Sequence, residues 1–395
     1  LNCLLLKKTV QEFIAEKSNS TIDLSTLILK GSPFDGISVQ ELAQQIHGRR
    51  KAKQKLPSWY SKNGVCYPPI LNLEQTSSEV TALYKSNLVS GAKLVDLTGG
   101  FGIDDYFFSK RIKEILHCEL NKELSELANH NFKLLGSTNI KTIVGDGLEI
   151  LKEQTIVDWI YVDPSRRHDS KGKVFFLEDC LPNIPQNLDF LFTKSNNILL
   201  KTSPLLDIQI GVRSLQHVKE IHIVAIENEV KELLWVLDKS YTAHITITTV
   251  NIQKKKIQRF SFLQNEEAEQ TIDIGMPMKY LYEPNASILK SGGFLSIAST
   301  FKLKKLHINS HLYTSDHEID FPGRKFKIVA IYPYQKKKLM KMGITKANIT
   351  TRNFSESVAM IRKKLKIKDG GDQYLFFTTD CNNKKQVLFC EKVVD

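Results

Sequence analysis

Four acids each close an apolar run between residues 91 and 163, and that repetition is the first sign of chemistry in this chain. "AKLVDLTGG" runs into Asp96, "KEILHCEL" into Glu119, "IKTIVGDG" into Asp146 and "VDWIYVDP" into Asp163. Helix-like stretches such as "IDDYFFSKRI" and "NKELSELANHNFKLL" separate the runs, which predicts a doubly wound, mostly parallel sheet. Open α/β sheets bind ligands in the crevice beyond the carboxyl ends of their strands, so the four carboxylates are expected to crowd one crevice. Gly99, Gly100 and Gly102 follow Asp96. Glycines at a strand-to-helix turn let a nucleotide approach the backbone and the helix N–H groups closely. The G-G-x-G spacing is neither the dinucleotide fingerprint nor a P-loop. Glu119 lies about 20 residues beyond the glycines, where a carboxylate can accept both ribose hydroxyls of a nucleoside. Asp146 is placed to accept from an adenine amino group. Each also has a plain structural reading: a tight βα turn for the glycines, a helix-cap neighbour for Glu119 and turn chemistry for Asp146.

The elements around these groups can be read in turn. Residues 1 to about 70 are expected to be helical, in "TVQEFIAEK" and "SVQELAQQIHGRRKAKQKLPSWY". In the second, Ser38 and Glu41 form a capping box, and Val39, Leu42, Ala43 and Ile46 share a face. The proline-marked "GVCYPPILNLEQTSSE" leads into the strand-helix alternation. "NNILLKTSP" reads as a fifth strand, "VKEIHIVAIENE" as a sixth and "VKELLWVLDK" as the helix after it. "AHITITTVNI" and "QRFSFL" then close the sheet. Glu227 and Glu229 read as a solvated helix start. Beyond residue 275 short helices and turns precede a smaller α+β unit, whose helix "FSESVAMIRKKLKI" has Val358, Ile361 and Leu365 on one face.

Hydrophobic residues make up 42% and charged residues 25% of the 395, the balance of a soluble globular protein. No apolar run approaches the roughly 18–20 residues that span a bilayer, and "LNCLLLKK" is too short for a signal-peptide core. Six scattered cysteines without a C-x-x-C pair and ten dispersed histidines predict neither a metal site nor a disulfide framework, and fit a reducing cytoplasm. The net charge of +12 is uneven: residues 271–395 hold 22 basic against 11 acidic groups, and the first 270 hold 33 against 32. An excess confined to the last third points to a polyanion, bound through counterion release. The alternative is a lysine-rich solvated surface.

Together, "VDLTGGFG", the "CELN" acid, "GDG" and "YVDPSRR" resemble a class I S-adenosylmethionine-dependent methyltransferase. More narrowly, "LEQTSSEVTALYKS", "VDPSRRHDSKGKVFFLEDCLPNI", "YLYEPNASILKSGGF", "LHINSHLYTSD", "FPGRKFKI" and "NFSESVAMIRKKLKIKDGGDQYLFFTT" resemble the bacterial family of such enzymes with a THUMP-like C-terminal domain. The resemblance covers roughly residues 70–395. It implies an α/β, Rossmann-like doubly wound methyltransferase sheet at 73–278, after an N-terminal helical region at 1–72. Small α+β domains would follow, ferredoxin-like at 279–321 and THUMP-like and RNA-binding at 322–395. The implied cofactor is S-adenosyl-L-methionine. Asp96, Thr98, Gly99, Gly100 and Gly102 would hold its methionine part, Glu119 its ribose and Asp146 its adenine. Thr76 and Ser77 would close over its amino-acid end, or simply form a helix N-cap.

The same resemblance gives "DPSRR" a role. In amino-methylating enzymes of this fold a strand-end Asp/Asn-Pro motif places acceptors on the target amine, and Asp163 with the Pro164 carbonyl fits that role. A neutral amine needs no strong base when it is held in line. Where an aromatic residue would stack the base, this chain has Ser165 and Arg166. A guanidinium stacks on bases or forks onto phosphate, so Arg166 and Arg167 suit a nucleic acid. Alternatively they pair with Asp169, Glu178 or Asp179. Lys201 lines the substrate cleft or lies at its rim. No cysteine is placed for carbon-5 pyrimidine methylation. In the C-terminal unit Arg362, Lys363 and Lys366 are expected to share a helix face beside Tyr332, Tyr334 and Phe354, suited to phosphate tracking with stacking. The polar side of an amphipathic helix explains that spacing too. The expectation is a cytoplasmic methyltransferase for a nucleobase nitrogen of tRNA or rRNA, with no membrane or metal partner. The alternatives are a methyltransferase for a small molecule or protein, and an RNA-binding protein with a silent methyltransferase fold.

Overall fold

The apolar runs fold as buried strands. In the computed structural model, which describes residues 2–21, 23–166 and 176–393 and all their side chains except that of Arg166, β1 (Gly91–Asp96), β2 (Ile112–Glu119), β3 (Ile140–Val144) and β4 (Val157–Val162) are joined by helices. Two short strands follow, β5 (Ser165–Arg166) and β6 (Cys180–Leu181), and then β7 (Ser195–Thr202). The order is β7-β4-β1-β2-β3, with every pairing parallel. Leu94, Val95, Ile115, Leu116, Ile160, Val162, Ile198 and Leu200 are buried, as expected where helices cover both faces. Each such side chain contributes about 1.5–3 kcal/mol. The strand order reverses between β1 and β4, so Asp96 and the Asp-Pro turn meet at the switch point where such sheets bind ligands.

Two units make up the chain: Leu1–Val218 with Leu234–Thr242, and Lys219–Leu233 with Ala243–Asp395. The first includes the N-terminal helices. Its longest, Val39–Lys55, starts with the expected capping box: Ser38 Oγ accepts the Glu41 N–H at 3.2 Å and Glu41 Oε2 accepts the Ser38 N–H at 2.8 Å. The proline-marked segment is stitched to the core. Asn131 accepts the Cys66 N–H at 3.0 Å and donates to the Cys66 carbonyl at 2.9 Å.

In the second unit β8 (Val218–Ile226), β10 (Thr246–Ile252) and β11 (Ile257–Leu263) pair edge to edge, β8–β10 parallel and β10–β11 antiparallel. Residues 230–239, expected as a helix, instead form β9 (Glu229–Asp238), which is divided between the units. Glu227 and Asn228 adopt φ of +48° and +67°, the paired left-handed conformation of a tight hairpin turn. Glu232 through Leu237 are all buried, which one face of a surface helix would not allow. Glu227 therefore belongs to a turn, where its Oε1 accepts the Lys254 N–H at 2.9 Å.

A second sheet holds β12 (Tyr280–Pro284), β13 (Lys304–His307), β14 (Ser310–Ser315), β15 (Gly323–Pro333), β16 (Asn348–Arg352), β17 (Gln373–Thr379) and β18 (Lys385–Lys392). Its order is β13-β14-β12-β15-β18-β17-β16. Among the described residues no helix is long and apolar enough to cross a membrane.

Candidate active site

β1 delivers Asp96 with 1% exposure to the carboxyl edge. Its Oδ1 accepts the Thr98 N–H at 2.8 Å and the Thr98 hydroxyl at 3.2 Å. Thr98 Oγ1 in turn accepts the Asp163 N–H at 2.7 Å, so one threonine joins the ends of β1 and β4. The glycine loop is shaped by what presses on it. A Cβ on Gly99 would stand 2.3 Å from Cε1 of His117, and one on Gly102, at φ +83°, 2.3 Å from Cζ of Phe132. At Gly100, φ +58°, a Cβ would meet only the Thr98 carbonyl, at an ordinary 3.7 Å. The Gly100 N–H donates to Glu119 Oε2 at 2.8 Å, and Glu119 Oε1 accepts the Asn121 N–H at 2.7 Å. Asp146 caps the helix Gly147–Lys152, its Oδ1 accepting the Leu148 N–H at 2.8 Å. Asp96, Glu119, Asp146 and Asp163 thus close four neighbouring strands at one edge, while the turn and cap roles are filled by the same residues.

Asp163 forms an ion pair with Lys201, near the end of β7. Pro164 is buried, and β5 pairs antiparallel with β6 to hold the turn. The Arg166 side chain and Arg167 lie outside the described residues, as does Asp169.

Two buried clusters brace the loop. Lys85, 0% exposed, pairs with Asp104 Oδ1 at 3.3 Å and donates to Ser77 Oγ at 3.1 Å. Ser77 Oγ and Tyr161 OH both donate to Asp104 Oδ2, at 2.9 and 2.7 Å. Ser77 is therefore a buried clasp on the first helix after the loop. The N-cap of the next helix is Ser78, and Thr76 is the C-cap of the helix Ile70–Gln75, so neither Thr76 nor Ser77 has the N-cap role that was its alternative.

The second cluster places His117 Nδ1 2.6 Å from Asp105 Oδ2, both fully buried, with Asp96 alongside. Burial holds His117 below the usual imidazole range. Burial, and then a neighbouring acid (Asp105 for Asp96, Asp104 for Asp105), pushes both carboxyls well above theirs. The donor atoms all lie within 4.8 Å, a set that a divalent ion could use. Two of these atoms are already within hydrogen-bond distance of each other, and burial shifts both acids toward their neutral forms. Sequence reading missed Lys85, Asp104, Asp105, His117 and Tyr161. The available signal was the acid pair in the first turn after the glycines, where a helix N-terminus favours negative charge.

In the C-terminal unit the expected basic face divides. Lys363 is exposed, but Arg362 donates to the Ala347 carbonyl at 3.2 Å and forms an ion pair with Asp369. Lys366 leaves the helix Val358–Leu365 as its left-handed C-cap, φ +58°. Three residues cannot share a face when the last lies beyond the final turn. Tyr334 and Phe354 pack into the core, their rings 5.0 Å apart, and Tyr334 OH donates to Glu356 at 3.0 Å.

A ferredoxin-like domain family matches residues 280–322, and a THUMP domain-like family matches 323–392. The crystal structure of a candidate methyltransferase from Porphyromonas gingivalis W83 is similar with a TM-score of 0.90 and 32% identity, covering 100% of this chain and 99% of that one. M. capricolum TrmK, in complex with S-adenosyl-homocysteine, shares 17% identity at TM-score 0.33 over 41% of this chain and 70% of its own. An rRNA methylase from Streptococcus thermophilus shares 12% at 0.31 over 40% and 94%. Neither of these two likenesses bears on substrate. No curated protein matches the chain. The end-to-end likeness at 32% identity, on a sheet whose acids and glycines converge at its switch point, places the chain in the class I methyltransferase family with a THUMP-like C-terminal domain.

Proposed function

We propose that the protein is a cytoplasmic, S-adenosylmethionine-dependent RNA methyltransferase acting on a nucleobase nitrogen. The observation that carries this reading is the convergence of Asp96, Glu119, Asp146 and Asp163 with the glycine loop on one strand edge. In this scheme residues 73–278 hold the chemistry, 1–72 support it, and 279–321 with 322–395 engage RNA. The residues present suit the cofactor: nothing crowds Gly100 more closely than the Thr98 carbonyl at 3.7 Å, and a carboxylate has lone pairs beyond those that Glu119 gives to the two backbone N–H groups. Glu119 would accept the ribose hydroxyls, Asp146 would face the adenine amine, and Asp96 with Thr98 would fix the loop against the methionine part.

When bound, the cofactor supplies an electrophilic sulfonium methyl. Asp163 Oδ and the Pro164 carbonyl accept N–H bonds from the target nitrogen and hold its lone pair in line. Positioning of this kind supplies most of the rate in a transfer between two held partners. The ion pair with Lys201 fixes the direction of the Asp163 carboxylate. After transfer Asp163 accepts the proton that the methylated nitrogen sheds. The basic excess of residues 271–395 supports RNA as the partner. The test is transfer of a tritiated methyl group to total RNA from a strain lacking the gene, with Asp163→Ala alongside. The wild type should label RNA and the variant should fall about 100-fold or more, as when one preorganised electrostatic group is removed. Equal labelling by the variant removes Asp163 from the mechanism.

A further inference from the structure

In the second unit an open groove of about 310 Å³ lies where β15 and β18 meet the segment after the helix Lys336–Lys341. Val329, Ala330, Tyr332, Met342, Ile344 and Phe389 line it, and Gln373 and Glu391, paired in register on β17 and β18, supply polar groups. Its aromatic wall is Tyr332 against Phe389, centroids 5.1 Å apart at 78°. The β15–β18 register shifts between Ile328 and Ala330, and Val329 is left 59% exposed. Bulges of this kind recur beside binding sites because they re-aim side chains. The apolar core of this unit ends at the same place: Phe389, Met342 and Ile344 are only partly covered.

The charge around the groove decides its occupant. Along the chain, exposed Lys336, Lys337, Lys338 and Lys341 precede the groove residues Met342 and Ile344, and exposed Lys346 follows them. Lys338 Nζ lies 5.5 Å from the Tyr332 ring centroid. Lysines around an aromatic wall fit a polyanion that also carries flat rings, because phosphates meet the ammonium groups while a base meets the wall. An acidic peptide would satisfy the lysines but would bring its carboxylates against Glu391. A nucleobase instead offers N–H groups to Glu391 and a mixed hydrogen-bonding edge to Gln373.

We propose that this groove takes an unpaired nucleobase of single-stranded RNA, stacked on the Tyr332–Phe389 wall with the Lys336–Lys346 segment on the flanking phosphates. The assignment rests on the RNA reading above and names where a base is held. The test measures binding of fluorescein-labelled oligonucleotides of about eight residues, within the usual span of such sites, to the full chain. Single-stranded RNA and a blunt duplex of the same composition are compared for wild type, Tyr332→Ala and Val329→Glu, the last at an already exposed position. Single-strand affinity should fall about 5- to 100-fold in each variant, one stacked base's share, with duplex affinity within twofold of wild type. Wild-type single-strand affinity in both variants, or competition by polyglutamate as strong as by RNA, overturns the groove assignment and leaves the RNA reading standing. No RNA binding by the wild type in either form overturns both.

Discussion

Replacing Lys85 by Met removes a cation from a site with 0% exposure, beside a carboxylate whose side chain is only 12% exposed. Ser77 and Tyr161 continue to donate to Asp104 Oδ2, but Oδ1 makes no hydrogen bond and relies on the ammonium 3.3 Å away. Breaking a buried pair by removing one partner costs about 3–5 kcal/mol, because the remaining charge is stranded. For a unit of this size each kcal/mol moves the midpoint by about 2–4 °C, so Lys85→Met should lower the first unit's melting temperature by about 6–20 °C. Lys85→Met with Asp104→Asn removes both charges and should recover most of that loss, since joint removal of a buried pair is often close to neutral. The assay is a thermal scan of wild type, both single variants and the double variant, read as a cycle with a coupling of several kcal/mol. Additive single effects, or a Lys85→Met shift below 2 °C, would refute the stranded-charge account.

Three further outcomes follow from the structure. Asp105 is more basic folded than unfolded, so its protonated form stabilises the fold below about pH 4 and that contribution is lost as pH rises toward the folded value. Asp105→Asn keeps a hydrogen-bonding partner for His117 without titrating, so its melting temperature relative to wild type should climb between pH 5 and pH 8. A relative melting temperature that falls as pH rises contradicts the cluster. Arg362→Ala should destabilise the C-terminal unit by about 1–3 kcal/mol, since carbonyls and Asp369 lose their donor, whereas Lys363→Ala should leave melting unchanged. If Lys363 meets a phosphate, its loss should reduce the salt dependence of RNA affinity by about one ion; a slope identical to wild type removes it from the interface.

The carboxyl edge was legible because strand ends announce themselves: an apolar run stops at an acid, and four such stops imply one crevice. Local patterns also gave the Ser38 capping box, which depends on residues three apart. The failures lie where partners are distant. Residues 230–239 alternate charge and bulk in a way that satisfies a helix, and only the left-handed Glu227–Asn228 pair and burial on both faces make them a strand. Lys85 reads as one more solvated lysine, yet its counter-ion comes 19 positions later, a pairing that no periodicity encodes. His117 read as a strand residue of no account; its ring is the reason position 99 admits only hydrogen as a side chain. Lys366 followed the helical repeat on paper, but the chain turns left-handed one residue too early.

The Thr98 hydroxyl is directional. Its single proton points at Asp96, which leaves a lone pair for the Asp163 amide. Valine has the same outline but would leave that amide unanswered, so shape alone cannot substitute here. Serine could take over the relay, though with a freer rotor, and the strand-end turn would then wander with it. The aim of the Asp-Pro corner is thus set by the orientation of one hydrogen atom in the loop beyond a neighbouring strand.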